Sequence, residues 1–389
     1  MSSHSADVVV IGGGLAGAWM AYWLSLGRRS VVVVDAYGVA SGTSGSGGGS
    51  LSLMDKKPGL PLTLSRDAAQ FYEQLQDEVG TSIGLNISGG LAPILAPQSL
   101  DEVAEYVAPL TAAGLPIHLL DRKAAREIEP ALSEEIVGAA HCPLEGIVDP
   151  LRAVHALFAM AASRSARIAT EERGAQLKYS RGGFVGEVLT RSGSIACGAV
   201  VLAAGVWIND VLQSLNTRLP VYARKGHIVG FEPGRPIVRT AIHEGSYFGG
   251  KFASQSANDL IVALAAEQRG GILRIGSSRE FKGIDRTIDP PVVSAIIRRA
   301  ADFLPVVRSL RSVYVGACLR PYVPDHYPLV GRLPGWENVY VLTGHEGDGL
   351  ALIPGTARRL VDTMDGKGEY LAEIDAGRRI AFMDLESPA

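Results

Sequence analysis

Gly12, Gly14 and Gly17 stand in the spacing GxGxxG, and Asp35 follows 18 residues after the last of them. Gly12 permits a tight turn, Gly14 lets the backbone approach a pyrophosphate, and Gly17 lets a helix pack close to a strand. A helix that starts here, near Leu15 and Ala16, aims its N-terminal N–H groups at negative charge. An acid placed like Asp35 accepts hydrogen bonds from a ribose. The set predicts dinucleotide binding and does not decide between NAD and FAD.

A second stretch, residues 41–50, reads SGTSGSGGGS. Out of context such a run is a flexible linker. It begins six residues after Asp35, too close to that site for an interdomain hinge, and apolar Leu51 and Leu53 come directly behind it. Bare backbone N–H groups can form a nest for pyrophosphate oxygens and lie against a flat ring. Hydroxyls at Ser44, Ser46 and Ser50 add donors and acceptors. The expectation is a cofactor loop, with a disordered loop as the alternative.

These residues need a scaffold. Residues 7–11 form a short apolar, β-branched run, the pattern of a parallel strand buried on both faces. Residues 18–26 carry Trp19, Met20, Trp23 and Leu26 at helical spacing before Gly27, and residues 30–34 read as a second strand ending at Asp35. No charge falls between Asp7 and Arg28, but four glycines interrupt that run and no basic segment precedes it. Strand, turn and buried helix account for it better than a membrane span or a signal sequence does.

The 389 residues exceed what one small core holds, so two domains or an interleaved pair are expected. Hydrophobic content of 47% with 20% charged residues describes a globular chain. With 37 basic against 40 acidic side chains and no basic stripe, nucleic-acid binding is not expected. Cys142, Cys197 and Cys318 lie far apart in sequence and form no CxxC pair, which predicts a reducing, cytoplasmic compartment. Three cysteines cannot build a four-cysteine iron–sulfur cluster, and no metal site is expected.

With the two glycine stretches in place, the chain resembles the flavoprotein family of D-amino-acid dehydrogenases, glycine oxidase and sarcosine oxidase. Gly42-Thr-Ser-Gly-Ser-Gly-Gly-Gly49 falls where that family reads Gly-Ala-Ser-Gly-Arg-Asn-Ala-Gly, so Ser46 and Gly47 depart from it. Glu145-Gly-Ile-Val-Asp-Pro150, leading into a helix over 151–162, is similar to the family's return into the FAD domain. Ala199-Val-Val-Leu-Ala-Ala-Gly-Val-Trp207 is similar to a strand and Gly turn beside the cofactor. Ala223-Arg-Lys-Gly-His-Ile228 and Arg274-Ile-Gly-Ser-Ser-Arg-Glu-Phe281 resemble substrate-domain segments. Leu319-Arg-Pro-Tyr-Val-Pro-Asp-His-Tyr-Pro-Leu-Val-Gly331 and Thr343-Gly-His-Glu-Gly-Asp-Gly-Leu350 resemble the C-terminal signatures.

The resemblance implies FAD, held by Gly12, Gly14, Leu15, Ala16, Gly17 and Asp35, then by Ser41, Thr43, Ser44, Gly48, Gly49 and Ser50. Further contacts are implied at Ala203, Gly205 and Trp207, and at Gly344, Gly347, Asp348, Gly349 and Leu350. Gly344-His-Glu-Gly347 looks closest to FAD subunits of heteromeric D-hydroxyproline, opine and L-proline dehydrogenases. That subset implies a hetero-oligomer whose iron–sulfur or other electron-accepting subunit takes the electrons, and a second flavin, FMN, at a subunit interface. Lys56 and Lys57 are candidates for its phosphate, with solvated lysines as the alternative.

For an amine substrate, the resemblance makes Arg320 the expected carboxylate anchor, since it stands where relatives hold the carboxylate and guanidinium–carboxylate pairing is bidentate, with a surface arginine in a salt bridge as the alternative. His345 either borders the active site or is a structural histidine. Tyr247 and His243 sit on a segment that lines the substrate cavity in relatives and either cap the ligand or are ordinary strand residues facing a core; Lys225 and His227 are flavin neighbours or structural residues. The N-terminus of a helix over 350–364 would stabilise negative charge on the reduced flavin. Pro354 falls near its first turn, where proline is tolerated.

The expected fold class is α/β. A Rossmann-like FAD-binding domain (1–84, 146–217 and 318–389) would interleave with an α+β substrate domain of mixed or antiparallel sheet (85–145 and 218–317), and residues 366–389 would end as a loosely held tail. Three functional readings follow. The first is an FAD subunit oxidising a secondary amine or D-amino acid to the imine and passing electrons to a partner. The second is a homomeric oxidase releasing peroxide, and the third a non-catalytic FAD relay.

Overall fold

The computed structural model describes residues 4–246, 248, 259–369 and 371–381. Its first sheet is built on the strand His4–Ile11, whose Val8–Ile11 segment runs parallel to Val31–Val34 on one side and to Ala199–Leu202 on the other. The order continues outward to Arg167–Ala169 beyond Val31–Val34, and to Val339–Thr343 and antiparallel Leu329–Arg332 beyond Gly193–Leu202. All four residues of Val31–Val34 are buried, as the unbroken valine run requires of a strand covered on both faces.

On one face of this sheet lie the helices Leu15–Leu26, Leu60–Val79, Pro150–Ser163 and Gly349–Met364. Aromatic rings of the first helix join it to its neighbours. Trp19 stacks on Trp23 and meets Tyr72 edge-on, and Trp23 Nε1 donates to the carbonyl of Pro354. Pro354 lies inside its helix and has no N–H for the carbonyl of Leu350. The hydroxyl of Tyr72 donates to that oxygen instead, at 3.1 Å.

The second sheet has the order Arg311–Tyr322, Tyr222–Glu232, Ile272–Phe281, Ile261–Arg269, Ala241–His243, Gly90–Ile94, Gly138–Cys142 and His118–Asp121. Its pairings are antiparallel except Ala241–His243 with Gly90–Ile94, so the sheet is mixed. The helix Pro290–Phe303 covers its back through Val292, Ile296 and Ala300, capped by the Asp289 carboxylate. Arg311–Tyr322 pairs along its length with Tyr222–Glu232, so this strand belongs to the second sheet on both sides of residue 318. Among the described residues no helix is long and apolar enough to cross a membrane.

Candidate active site

The register of the first sheet brings Gly12, Ala203 and Asp35 to the carboxyl ends of neighbouring parallel strands, where ligands enter such sheets. A cavity of about 730 Å³ opens there and runs beneath the second sheet. Gly12 takes φ +123°, and a Cβ on it would lie 2.4 Å from the carbonyl oxygen of Ala203. A Cβ on Gly17 would fall 1.8 Å from the oxygen of Gly12, so Gly17 acts through helix–strand packing and does not line the cavity. Gly14, Leu15 and Ala16 do line it.

Asp35 holds the turn from the side. Its Oδ2 accepts from the N–H of Gly13 at 2.7 Å and its Oδ1 from that of Tyr37 at 2.9 Å. Each oxygen keeps a lone pair for a ribose hydroxyl. Beside it the Arg173 guanidinium lies 4.6 Å over the Tyr37 ring, and both line the cavity. Neither was singled out from the sequence, because residue 173 lies far along the chain in an exposed, polar stretch.

The Gly/Ser loop is ordered and contains one helical turn, Thr43–Ser46. Ser44 Oγ accepts from the N–H of Leu15 at 2.9 Å, Thr43 Oγ1 donates to the carbonyl of Leu319, and Arg286 reaches the carbonyl of Ser41 at 3.4 Å. Ser41, Thr43, Ser44, Gly48 and Ser50 line the cavity, while Gly49 is buried behind it with its N–H committed to Glu267. The buried Ser50 Oγ has no hydrogen-bond partner among the described residues. Trp207 closes against Gly42, Gly205 takes φ +55°, and Ala203, Gly205 and Trp207 all line the cavity. These residues fit FAD: the glycines leave a cradle that Cβ atoms would fill, at the carboxyl ends of the parallel strands.

At the other end, Gly347, Gly349 and Leu350 line the cavity at the start of the helix Gly349–Met364. Gly344 makes the preceding turn at φ +81°, where a Cβ would meet Val323 at 2.5 Å. Asp348 is turned away from the cavity and bound by Lys56 Nζ at 2.8 Å. Lys56 is buried and also paired with Asp55, so it does not present a free ammonium at the surface. The Lys57 ammonium sits over the Tyr327 ring. His345 borders the cavity, yet its ring is buried and its Nε2 lies 2.9 Å from Thr356 Oγ1, whose hydroxyl bonds to the carbonyl of Leu352. Burial pushes its pKa down to about 3, which keeps the ring neutral and unsuited to proton transfer near pH 7.

Alternate residues of the second sheet roof the cavity: His243, Ala265, Glu267, Arg274, Gly276, Ile228, Cys318 and Arg320, joined by Ser277. Arg320 donates from Nη1 to the carbonyl of Ser278 at 2.9 Å and has no carboxylate partner among the described residues. Its cross-strand neighbour Arg224 is buried over Phe281 and Tyr322 and donates to Glu346 Oε1 at 2.5 Å. Burial lowers the pKa of Arg224, Glu346 opposes that, and Arg279 and Arg320 add to it. Ser277 Oγ is buried with no hydrogen-bond partner among the described residues, next to Ser278, whose carbonyl accepts from Arg320. Tyr247 lies outside the described residues. Lys225 pairs with Asp285 at 2.7 Å and His227 accepts from the N–H of Asp289 at 3.2 Å; neither lines the cavity.

The pattern of the FAD dependent oxidoreductase (DAO) family matches residues 7–363. A glycine oxidase of Geobacillus kaustophilus is 26% identical over 393 residues, covering 99% of this chain and 100% of that protein. The crystal structure of glycine oxidase from Geobacillus kaustophilus superposes with a TM-score of 0.86 at 25% identity, over 97% of this chain and 100% of that one. A D-amino acid dehydrogenase of Rhizobium rhizogenes is 28% identical over 309 residues, 76% of this chain and 68% of that protein. L-proline dehydrogenase from P. horikoshii shares the fold, with a TM-score of 0.84 at 19% identity and 96% of both chains covered. The chain belongs to the FAD dependent oxidoreductase family and is an FAD-dependent oxidoreductase.

Proposed function

We propose that this enzyme oxidises an amino acid or related amine, with Arg320 holding the substrate carboxylate. The carrying observation is a cavity-lining arginine with no acidic partner among the described residues, under a roof of small residues, Ala265 and Gly276, that leave space for a ligand. FAD, when bound, would supply the acceptor for the hydride leaving the carbon that carries the neutral amine, so the substrate is left as the protonated imine, which gives its proton to solvent on release. Arg320 orients that carbon, the roof keeps water out, and the neutral His345 ties the loop after Thr343 to its helix. A substrate that binds as the neutral amine needs no protein base.

The finer reading is a secondary amine or D-amino acid of the hydroxyproline, proline or opine type, with electrons passed to an electron-accepting partner subunit in a cytoplasmic hetero-oligomer. Its support is the Gly344-His-Glu-Gly347 signature and the fold shared with an L-proline dehydrogenase. In that form FMN would lie at the interface. Lys57 is then the remaining sequence candidate for its phosphate, because Lys56 is consumed by two internal ion pairs. The same reading assigns residues 1–84, 146–217 and 318–389 to the cofactor domain and 85–145 and 218–317 to the roof, with residues 318–322 reaching into the roof through their pairing with Tyr222–Glu232. A second reading, a homomeric oxidase using oxygen, draws on the end-to-end similarity to glycine oxidase.

The test is the visible spectrum under anaerobic addition of D-hydroxyproline, L-proline, octopine, sarcosine, glycine and D-alanine. Bleaching by one of them names the substrate class. Rapid recolouring in air with peroxide selects the oxidase, and a stable bleached form selects the dehydrogenase. A yellow protein bleached by none counts against both and for the relay.

A further inference from the structure

The Thr43 and Ser44 hydroxyls tie the first half of the Gly/Ser loop, but its second half, Gly47 to Gly49, has no side chain to hold it, and backbone entropy opposes any single conformation there. The strand Ile261–Arg269 of the opposite sheet supplies the restraint. Both oxygens of Glu267 accept from the N–H of Gly49, at 2.8 and 2.7 Å, and Arg269 Nε donates to Glu267 Oε1 at 2.9 Å. Arg269 also reaches the carbonyl of Gly47 at 3.3 Å and Asp149 Oδ1 at 3.1 Å. Asp149 caps the helix Pro150–Ser163, so one guanidinium joins three separate segments. Gly49 is enclosed by this arrangement: a Cβ there would lie 2.5 Å from the carbonyl oxygen of Val148 and 3.1 Å from each Glu267 oxygen.

Where the family pattern has Arg and Asn, this loop has Ser46 and Gly47, and the guanidinium that arrives at Gly47 belongs to Arg269. Gly47, Gly48, Ser50 and Glu267 share one wall of the cavity. We propose that Glu267 and Arg269 are positioning residues for the flavin: together they fix the loop against it, and their opposite charges, both largely removed from solvent, set its reduction potential. The inference rests on FAD occupying this cavity.

Reduction adds negative charge to the flavin, so a nearby carboxylate disfavours it and a nearby guanidinium favours it. The experiment compares FAD affinity and midpoint potential of the wild-type holoenzyme with Glu267→Gln, Arg269→Gln and Arg269→Lys. Glu267→Gln is expected to bind FAD roughly tenfold more weakly, the scale of losing a charged hydrogen-bond partner, and to shift the potential upward. Arg269→Gln is expected to shift it downward, and Arg269→Lys to restore the potential but not the affinity. Weaker binding with no shift in potential in any variant would reduce the pair to a structural tie and overturn the proposal. Unchanged affinity and potential would overturn it as well. Failure of the clamp leaves a wild-type protein that still binds FAD and bleaches with substrate, whereas failure of the functional reading removes that bleaching.

Discussion

Gly226 and Arg320 lie on neighbouring strands, and the space left by the missing side chain of one holds the guanidinium of the other. A Cβ at position 226 would stand 2.4 Å from both Nη1 and Nη2 of Arg320. On its far side Gly347 passes the same side chain, with its Cβ direction 3.7 Å from Cδ and Nε. Gly226→Ala is expected to displace the anchor, raising KM for the amino-acid substrate about tenfold, or ~1.4 kcal/mol, with FAD affinity unchanged. Flavin titration alongside steady-state kinetics checks both halves.

Arg320→Ala should lower kcat/KM by roughly 30-fold or more, since it removes one side of a charged hydrogen-bonded pair. Arg320→Lys keeps the charge and loses the two-pronged geometry, so it should recover only part of the loss. Equal activity of the alanine variant and wild type would refute the anchor and favour the relay reading.

Ser277→Ala tests whether the orphaned hydroxyl serves a ligand. A buried hydroxyl without a partner costs the free protein about 1–3 kcal/mol, so the ligand-free variant should melt no lower than wild type. Substrate KM should rise about fivefold. A variant with lower melting temperature and unchanged KM would instead point to a packing role.

Two buried groups give the stability opposite slopes with pH. His345 has its pKa pushed down to about 3 by burial, so between that value and its ordinary 6.5 the unfolded chain binds more protons. Stability therefore falls as pH drops through this window, by at most about 1.4 kcal/mol per unit. Glu145 is fully buried and accepts the N–H groups of Leu53 and Met54, and desolvation raises its pKa to about 7. Between its ordinary 4.5 and 7 the folded chain binds more protons, so this contribution is lost as pH rises. His345→Gln should flatten the acid side of a melting-temperature profile and Glu145→Gln the neutral side. Unchanged profiles in both would refute these assignments.

The first cofactor unit was legible because its information is local. GxGxxG and Asp35 lie within 24 residues, and the strand Val31–Val34 follows the predicted run closely. The loop at residues 41–50 was legible from its composition and its distance to Asp35. Glu267, Arg269 and Ser277 were not. They meet the cofactor wall through sheet register across more than two hundred residues, and polar residues alternating on a strand look like ordinary solvent-facing positions. One signal was available: Glu267 and Arg269 two apart place opposite charges on the same strand face. For Asp348, proximity to the Gly-rich turn says nothing of the direction its side chain takes. Its carboxylate turns to Lys56.

The strand order of the first sheet carries one more consequence. The central strand His4–Ile11 is flanked by Gly193–Leu202, which in turn pairs with Val339–Thr343, and the helix Gly349–Met364 packs on Leu15–Leu26. A chain still emerging from the ribosome displays its glycine fingerprint early, yet lacks the far wall of the cradle until about residue 350 has been made. A chain stopped before Gly344 would therefore present the motif without the wall that closes the cradle, and flavin uptake waits for both.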